Sequence, residues 1–230
     1  NTEKVSLRLG SVHTATIKDC NFAGHGYALF VNPDPVVIFG DLVIDNCTFD
    51  MTDAGITDVS SSTSYVNIGG NSELYWKNVY IRDTKIVADN TYAESTNIDS
   101  GVSLEAFITI KANEIHITGS TFHGPHQVVV GNTITPITTL KLTPVQYLYF
   151  GDSRIMGGAL PMQIGGSSPH VLGVSPSVND YERFGIIIEN SQFRHTINTF
   201  TTTFTLLDID FDYSGTPAAI TDLPIRPKVS

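Results

Sequence analysis

Three acidic residues near the end of the chain have a spacing that could hold a metal ion. In LLDIDFDY (206–213), Asp208, Asp210 and Asp212 alternate with apolar residues. On a β-strand these carboxylates face one way, with a repeat of roughly 6.5–7 Å. They could bind calcium with help from a loop, but such a row also keeps a terminal strand from pairing with other chains. We favour the second role and keep calcium as the only candidate cofactor.

A histidine pair also has a spacing that suggests metal binding. HGPH (123–126) places His123 and His126 on one loop, with a proline between them. A zinc site needs three or four protein ligands, and no third ligand stands at a recognisable spacing. The sequence therefore predicts no zinc site.

Repeats in the sequence indicate how these residues are positioned. Six segments align without gaps and share the pattern apolar, any, apolar, any, Asp/Asn/Gly, small, any, Phe/Ile. We call them repeats 1 to 6: ATIKDCNF (15–22), LVIDNCTF (42–49), VYIRDTKI (79–86), IHITGSTF (115–122), LYFGDSRI (148–155) and IIIENSQF (186–193). They recur every 27–38 residues, a period typical of repeat architectures.

Each column of the repeat has a physical meaning. The two apolar positions alternate as inward strand residues do. The second apolar column contains Ile17, Ile44, Ile81, Ile117, Phe150 and Ile188. Two positions later stand residue types that tolerate a left-handed backbone: Asp19, Asn46, Asp83, Gly119, Asp152 and Asn190. The pattern predicts a strand, a one-residue corner and a second short strand.

Six such units in register predict an all-β parallel solenoid of about six coils. Aligned residues then stack about 4.8 Å apart along its axis. Additional strands are expected at VVIFG (36–40), YVNIGG (65–70), FITIKAN (107–113) and LKLTPVQ (140–146). Polar insertions are expected to form loops at 50–64, 88–104, 124–138 and 156–184.

The chain is divided at the end of repeat 6. Residues 1–195 are predicted to form the solenoid, and residues 196–230 a β-rich C-terminal cap or oligomerisation segment. The cap either folds over the last coil of its own chain or packs against a neighbouring chain, since a solenoid exposes a sheet edge at each end. The final residues, with two prolines in ITDLPIRPKVS, are interpreted as an extended tail.

The repeat pattern resembles the right-handed parallel β-helix of the pectin-lyase-like superfamily. The resemblance depends on the corner Asn or Asp before a stacked small residue, as in IDNCTF, and covers roughly residues 12–195. In style it is closest to phage tailspikes and surface-appendage β-helices, and it implies a homotrimer about the helix direction. The superfamily also includes pectinases, polysaccharide lyases and adhesins, so the resemblance specifies a fold and leaves the function open.

A catalytic motif of one branch of this superfamily is matched only in part. GHG (24–26) has the letters of a polygalacturonase motif, in which a His stands beside three aspartates that supply acid and base. The companion NTD, DD and RIK segments are missing from the chain. GHG is therefore interpreted as a turn.

Outward positions of the predicted strands supply the candidate glycan-binding residues. Tyr80, His116 and Tyr149 fall on successive coils, and Tyr75 and Trp76 lie just upstream of the first of them. Flat rings on an exposed β-face suit stacking against the apolar face of a pyranose. The alternative is that inserted loops cover the rings.

Basic residues form a second candidate group. Lys85 and Arg154 flank the coil that carries His123, and cations there could hold a sugar carboxylate. The alternative is a solvated polar face. Before the corners, Lys18, Asp45 and Arg82 are predicted to form a surface ladder of alternating charge.

Composition excludes several classes of partner. The 230 residues carry a net charge of −10, which argues against binding nucleic acid or an anionic membrane. No apolar run reaches a membrane-spanning length. The two cysteines, Cys20 and Cys47, are predicted to remain free thiols. Residue 1 is Asn and no signal peptide is visible, so we interpret the sequence as a mature or excised piece of a longer chain.

Two functions from different classes fit these observations. The first is an extracellular or virion appendage module, structural or glycan-binding, that assembles as a homo-oligomer, with a trimer favoured. The second is a tailspike-like polysaccharide depolymerase, either a hydrolase or a lyase. A hydrolase would require two carboxylates roughly 5–9.5 Å apart in a groove, and the sequence does not identify such a pair, so no catalytic residue is assigned.

Overall fold

The structure is a computed structural model. It describes residues 7–9, 12–23, 29–31, 40–50, 66–69, 76–87, 93–95, 106–124, 127–130, 133–136, 138–157, 160–167, 185–194 and 205–212. These residues form 20 strands and no helix, which confirms the predicted all-β class.

Nearly all of the strands return in a fixed chain order to three faces. Face 1 contains β1 (Arg8–Leu9), β4 (Leu29–Val31), β7 (Val66–Ile68), the first parts of β11 (Ala106–Thr118) and β15 (Thr138–Gly151), β17 (Leu160–Ser167) and β20 (Leu207–Asp212). Face 2 contains β2 (Ala15–Lys18), β5 (Asp41–Asp45), β8 (Trp76–Arg82), the second parts of β11 and β15, and β18 (Gly185–Glu189). Face 3 contains β3 (Asn21–Ala23), β6 (Thr48–Asp50), β9 (Lys85–Val87), β12 (Thr121–His123), β16 (Arg154–Met156) and β19 (Gln192–Arg194).

All neighbouring strands within these faces run parallel. Faces 1 and 2 share the long strands β11 and β15 and so belong to one 11-stranded sheet, whereas face 3 is a separate 6-stranded sheet. Parallel neighbours require a long connection between consecutive strands, and here that connection runs through the other two faces. The arrangement is compatible with a β-solenoid.

The predicted register of face 2 is confirmed. Ile17 pairs with Ile44, and the column continues through the other second apolar residues to Ile188. The four middle members are fully buried, while Ile17 and Ile188 at the ends are half-buried and pack against the core. One core cluster includes inward residues of all three faces, such as Ile68, Ile81 and Phe122.

The predicted corners are also confirmed. The non-glycine residues with positive φ among those described are Asp19 (54°), Asn46 (49°), Asp83 (46°), Asp152 (51°) and Asn190 (49°). Gly119 joins them with φ of 60°. A side chain at Gly119 would collide with the Asp83 carboxylate, which accounts for glycine in this repeat.

Small residues after the corners form a hydrogen-bonded ladder inside the bend. The Thr84 N–H donates to Ser120 Oγ (3.2 Å), and the Ser120 N–H donates to Ser153 Oγ (3.1 Å). Each hydroxyl in turn donates to the carbonyl two residues earlier, as Ser120 Oγ does to Thr118 O (2.8 Å). Cys20 and Cys47 are free thiols in the same column, as predicted. Burial raises the pKa of the Cys47 thiol.

Several strands differ from the sequence-based expectations. Leu160–Ser167 forms β17, although 156–184 was expected to be a loop. Its Leu160, Met162 and Ile164 alternate inward, and Pro161 stands near the strand start, where a missing N–H is tolerated. The face-1 strand of the second repeat is β4 (Leu29–Val31), which pairs with β7, whereas residues 36–39 lie outside the described residues.

The insertions 88–104 and 124–138, which were expected to form loops, contain strands. β10 (Ala93–Ser95) pairs in parallel with β13 (Gln127–Val130), which pairs antiparallel with β14 (Thr133–Pro136). Together they form a separate 3-stranded sheet. The β-branched composition of QVVV and TITP favours strands. The polar residues around them favoured a loop, so these strands were not predicted.

The C-terminal acidic segment continues face 1. β20 runs parallel to β17, and Ile209 pairs with Ile164. The Asp208 carboxylate accepts a hydrogen bond from Gln163 Nε2 at 3.3 Å. The side chains of Asp210 and Asp212 lie outside the described residues.

Candidate functional site

The outward surface of face 2 places three predicted ring residues side by side. Tyr80 pairs with His116, and His116 pairs with Tyr149, on the neighbouring strands β8, β11 and β15. All three side chains are half-buried. Because side chains alternate along a strand, the outward residues two positions before and after them complete this surface.

Two of these rings, Tyr80 and His116, stack on each other across neighbouring strands. The Tyr80 and His116 ring centroids are 4.9 Å apart, with 23° between the planes. His116 also contacts Tyr147, at 5.3 Å and 44°. The Arg82 guanidinium lies over the Tyr80 ring, 5.2 Å from its centroid. Neighbouring side chains thus contact both rings, so a sugar on this surface would also meet ring edges and polar groups. Stacking of a sugar on Tyr80 or His116 stays a prediction.

A carboxylate beside His116 gives this surface a polar pair. His116 Nε2 lies 3.1 Å from Glu114 Oε2. Because a carboxylate only accepts, the ring nitrogen donates in this contact. The bond orients the imidazole and directs its other ring nitrogen, Nδ1, away from Glu114.

A second carboxylate lies in the same row as Glu114. Asp41, Asn78 and Glu114 pair across β5, β8 and β11, and Asn78 Nδ2 donates to Asp41 Oδ1 at 2.7 Å. Both acids act on the Tyr80 hydroxyl. Burial is the largest cause of its raised pKa, and the negative charges of Asp41 and Glu114 raise it further.

The third ring is held by a glutamate of the next strand. The Tyr149 hydroxyl donates to Glu189 Oε1 at 2.5 Å, and this bond is the main reason why the pKa of Tyr149 is raised to about 12. A Cβ on Gly151 would lie 2.5 Å from the Tyr149 hydroxyl oxygen. Glycine at position 151 therefore provides the space in which this ring lies against the sheet.

Trp76 does not belong to this surface. The indole is fully buried, so its predicted role as an exposed sugar-stacking ring is wrong. The cause is a change of phase where face 1 turns into face 2: the inward residues are Trp76 and Val79, three positions apart, with Lys77 exposed between them. Unbroken alternation would have placed Trp76 outward with Tyr80. Tyr75 lies outside the described residues.

The basic candidates lie on a different face. Lys85, Thr121 and Arg154 form one outward row of face 3, and His123 belongs to the next row. Arg154 Nε donates to Gln192 Oε1 at 3.1 Å. Because the corner residues separate face 3 from face 2, the structure does not bring the basic group and the ring group into one site.

The surface charges before the corners follow the predicted ladder only in part. Lys18 Nζ lies 3.4 Å from Asp45 Oδ2 in an exposed ion pair. Arg82, the next member of this column, lies over the Tyr80 ring. Exposed pairs of this kind contribute about 0–1 kcal/mol.

Five polar or aromatic residues of the face-2 surface were not selected from the sequence: Asp41, Asn78, Glu114, Tyr147 and Glu189. Their signal was present, because each stands two positions from an outward residue of its own strand: Val43, Tyr80, His116, Tyr149 or Ile187. No group of three or more His, Cys, Asp or Glu side chains placed to hold a metal ion occurs within the described part of the chain. The same residues include no helix long and apolar enough to cross a membrane.

No protein-family model, no curated protein and no solved structure matches this chain. Its function is therefore argued from its own residues.

Proposed function

We propose that the chain is a right-handed parallel β-helix module of an extracellular or virion appendage, and that it binds a cell-surface polysaccharide on the outward surface of face 2. One observation supports the binding role above all others. Tyr80, His116 and Tyr149 stand in register on three neighbouring strands, so these side chains leave the sheet at about the strand spacing of 4.8 Å.

The chemistry of this surface favours hydrogen bonding to hydroxyl groups. Glu114, Glu189 and Asp41 supply acceptors, and the ring nitrogen of His116 and the tyrosine hydroxyls supply both donors and acceptors. Four carboxylates (Asp41, Asp45, Glu114 and Glu189) stand in the outward rows of face 2, and two permanent cations, Lys18 and Arg82, stand there with them. We therefore propose a neutral or amino-sugar polymer as the ligand. The proposal includes no cofactor and assigns no calcium to Asp208.

A depolymerase is the second candidate, and the Asp41–Asn78–Glu114 row favours it. Two residues in one row on alternate strands are roughly 9.6 Å apart. This is close to the upper end of the separation, roughly 6.5–9.5 Å, used by inverting glycosidases. The described residues show these acids on a sheet surface, whereas hydrolysis needs a groove, so binding without cleavage is the leading proposal.

The test is binding to immobilised polysaccharides of neutral, amino-sugar and uronate classes, combined with an assay for released reducing ends. We expect Tyr80→Ala and His116→Ala each to weaken binding about tenfold, equivalent to about 1.4 kcal/mol. The face-3 variants Lys85→Ala and Arg154→Ala are the matched controls and should bind normally.

Each other result has a defined meaning. Loss of binding in the face-3 variants alone would contradict the proposed surface and favour a uronate on face 3. Release of reducing ends that Glu114→Gln abolishes would establish the depolymerase instead. Binding to none of the three classes would leave only a structural module.

A further inference from the structure

Tyr149 differs from the other two rings in the outward column of face 2. Tyr80 and His116 stack on each other, and His116 also contacts Tyr147. The Arg82 guanidinium lies over Tyr80. In the part of the chain that the structure describes, no ring or guanidinium stacks on Tyr149. The residue is half-buried, so Tyr149 is the ring of this column that can accept a stacked ligand without displacing another side chain of the group.

The Tyr149 ring lies along its own strand, with its hydroxyl end over Gly151. A Cβ at position 151 would lie 2.8 Å from both Cε1 and Cζ of the ring. Because residues two positions apart on a strand project from the same face, Tyr149 takes this posture only when position 151 carries no side chain. Gly185 beside Tyr147 makes no such demand, since its Cβ would lie 3.4 Å from Cδ2 of that ring, an ordinary contact distance.

Negative charge surrounds the hydroxyl end of Tyr149. The hydroxyl donates to Glu189 Oε1, and the carboxylate keeps further lone pairs for a ligand. The hydrogen bond to Glu189 is the largest cause of the raised pKa of Tyr149, followed by burial, and the negative charges of Glu189 and Asp152 raise it further. Both acids are exposed. The cations of face 2, Lys18 and Arg82, stand on β2 and β8, at least two strands away from β15.

We propose that a sugar stacks on Tyr149, that Gly151 sets the posture of this ring, and that Glu189 and Asp152 select a sugar with a free amino group. This inference rests on the proposed function, because it names the ligand class of the same surface. The apolar face of the pyranose packs on the ring, and its ammonium lies beside the two carboxylates. The same charges repel a uronate.

Binding to three oligosaccharides of equal length and β1→4 linkage tests the stacking position. Isothermal titration calorimetry of the full chain should show that a glucosamine oligomer binds about fivefold more tightly than N-acetylglucosamine or glucose oligomers, as one exposed ion pair allows. Tyr149→Ala and Gly151→Ala should each weaken binding about tenfold. The methyl group in Gly151→Ala meets only the far end of a flexible side chain, so the fold should remain. Gly185→Ala is the matched control and should bind as the parent chain does.

Two further measurements separate charge from posture. Glu189→Gln keeps an acceptor for the Tyr149 hydroxyl and removes the charge, so the preference for the glucosamine oligomer should disappear. An NMR titration with ring-labelled tyrosine reports the posture without any ligand. The pKa of Tyr149, about 12 in the parent chain, should fall toward the ordinary value of about 10 in Gly151→Ala, because the displaced ring loses Glu189. Gly185→Ala should leave it unchanged.

The outcomes distinguish this inference from the proposed function. Normal binding by Tyr149→Ala, when Tyr80→Ala and His116→Ala bind weakly, would overturn the stacking position and leave the face-2 surface in place. A preference that survives Glu189→Gln, or no binding to the glucosamine oligomer, would overturn the selection of an amino sugar. An unchanged Tyr149 pKa in Gly151→Ala would overturn the role of the glycine. Failure to bind any immobilised polysaccharide would overturn the proposed function as well.

Discussion

At the scale of single residues, the corners between faces 2 and 3 impose the strictest demand on residue type. Each holds one residue with φ between 46° and 60°. Left-handed backbone costs most L-residues about 1–2 kcal/mol, and Gly, Asn and Asp are the usual exceptions. This demand explains why the corner column could be predicted from the sequence.

The corner can be tested at Asn46. We expect Asn46→Val to lower the free energy of unfolding by about 1–2 kcal/mol more than Asn46→Gly does, because a β-branched side chain is strained at positive φ. Both variants lose the hydrogen bond to Asp19, so their difference isolates the backbone. Urea denaturation measures it, and equal stability of the two variants would contradict the assignment of strain to this position.

The residues of the candidate site were predictable to a smaller extent. Period-two alternation was enough to place Tyr80, His116 and Tyr149 in one outward column. It could not show that the His116 ring stacks on Tyr80, because rotamers depend on neighbouring strands. Nor could it place Trp76, whose burial follows from a phase change at the junction of two faces.

At the scale of elements, stability comes from columns of like residues that continue through neighbouring strands. Ile81 on β8 is fully buried between Ile44 and Ile117, and the Thr84–Ser120–Ser153 ladder satisfies the bend beside it. A strand in the middle of such a stack has neighbours on both sides. A strand at the end has only one, so Ile17 remains half-buried.

This difference predicts a gradient along the column. Ile81→Ala should lower the free energy of unfolding by roughly 2–5 kcal/mol, the usual cost of a large-to-small change in a packed core. Ile17→Ala, the same substitution at the first strand, should cost less because its site is already open to solvent. Denaturant unfolding of both variants measures the gradient, and equal costs would contradict the stack as the source of stability.

Some elements were not predictable, for identifiable physical reasons. β17 contains Pro161 and two glycines, which indicate a loop when no partner strand is known. The 3-stranded sheet has only short strands whose pairing is with each other, so no column of the six repeats indicates them. A repeat in the sequence therefore predicts only those strands that share its register.

At the scale of the whole molecule, the net charge of −10 per chain limits how copies can associate. Like charges repel across an interface, so the contact that holds a homotrimer must be apolar and short in range. Residues 197–230 contain Phe200, Phe204, Phe211 and Tyr213, the aromatic residues we propose for that contact.

Light scattering on three chains tests whether the C-terminal segment holds the proposed trimer together. We expect the full chain to scatter as a trimer, at three times the 25.0 kDa chain mass. A chain that ends at Asp212 keeps Phe200, Phe204 and Phe211, and should remain trimeric. A chain that ends at Thr196 lacks all four aromatic residues and should no longer form a trimer, because the proposed apolar contact is gone. A monomeric full chain would contradict the trimer, and a trimer that survives the cut at Thr196 would show that residues 1–196 hold it together.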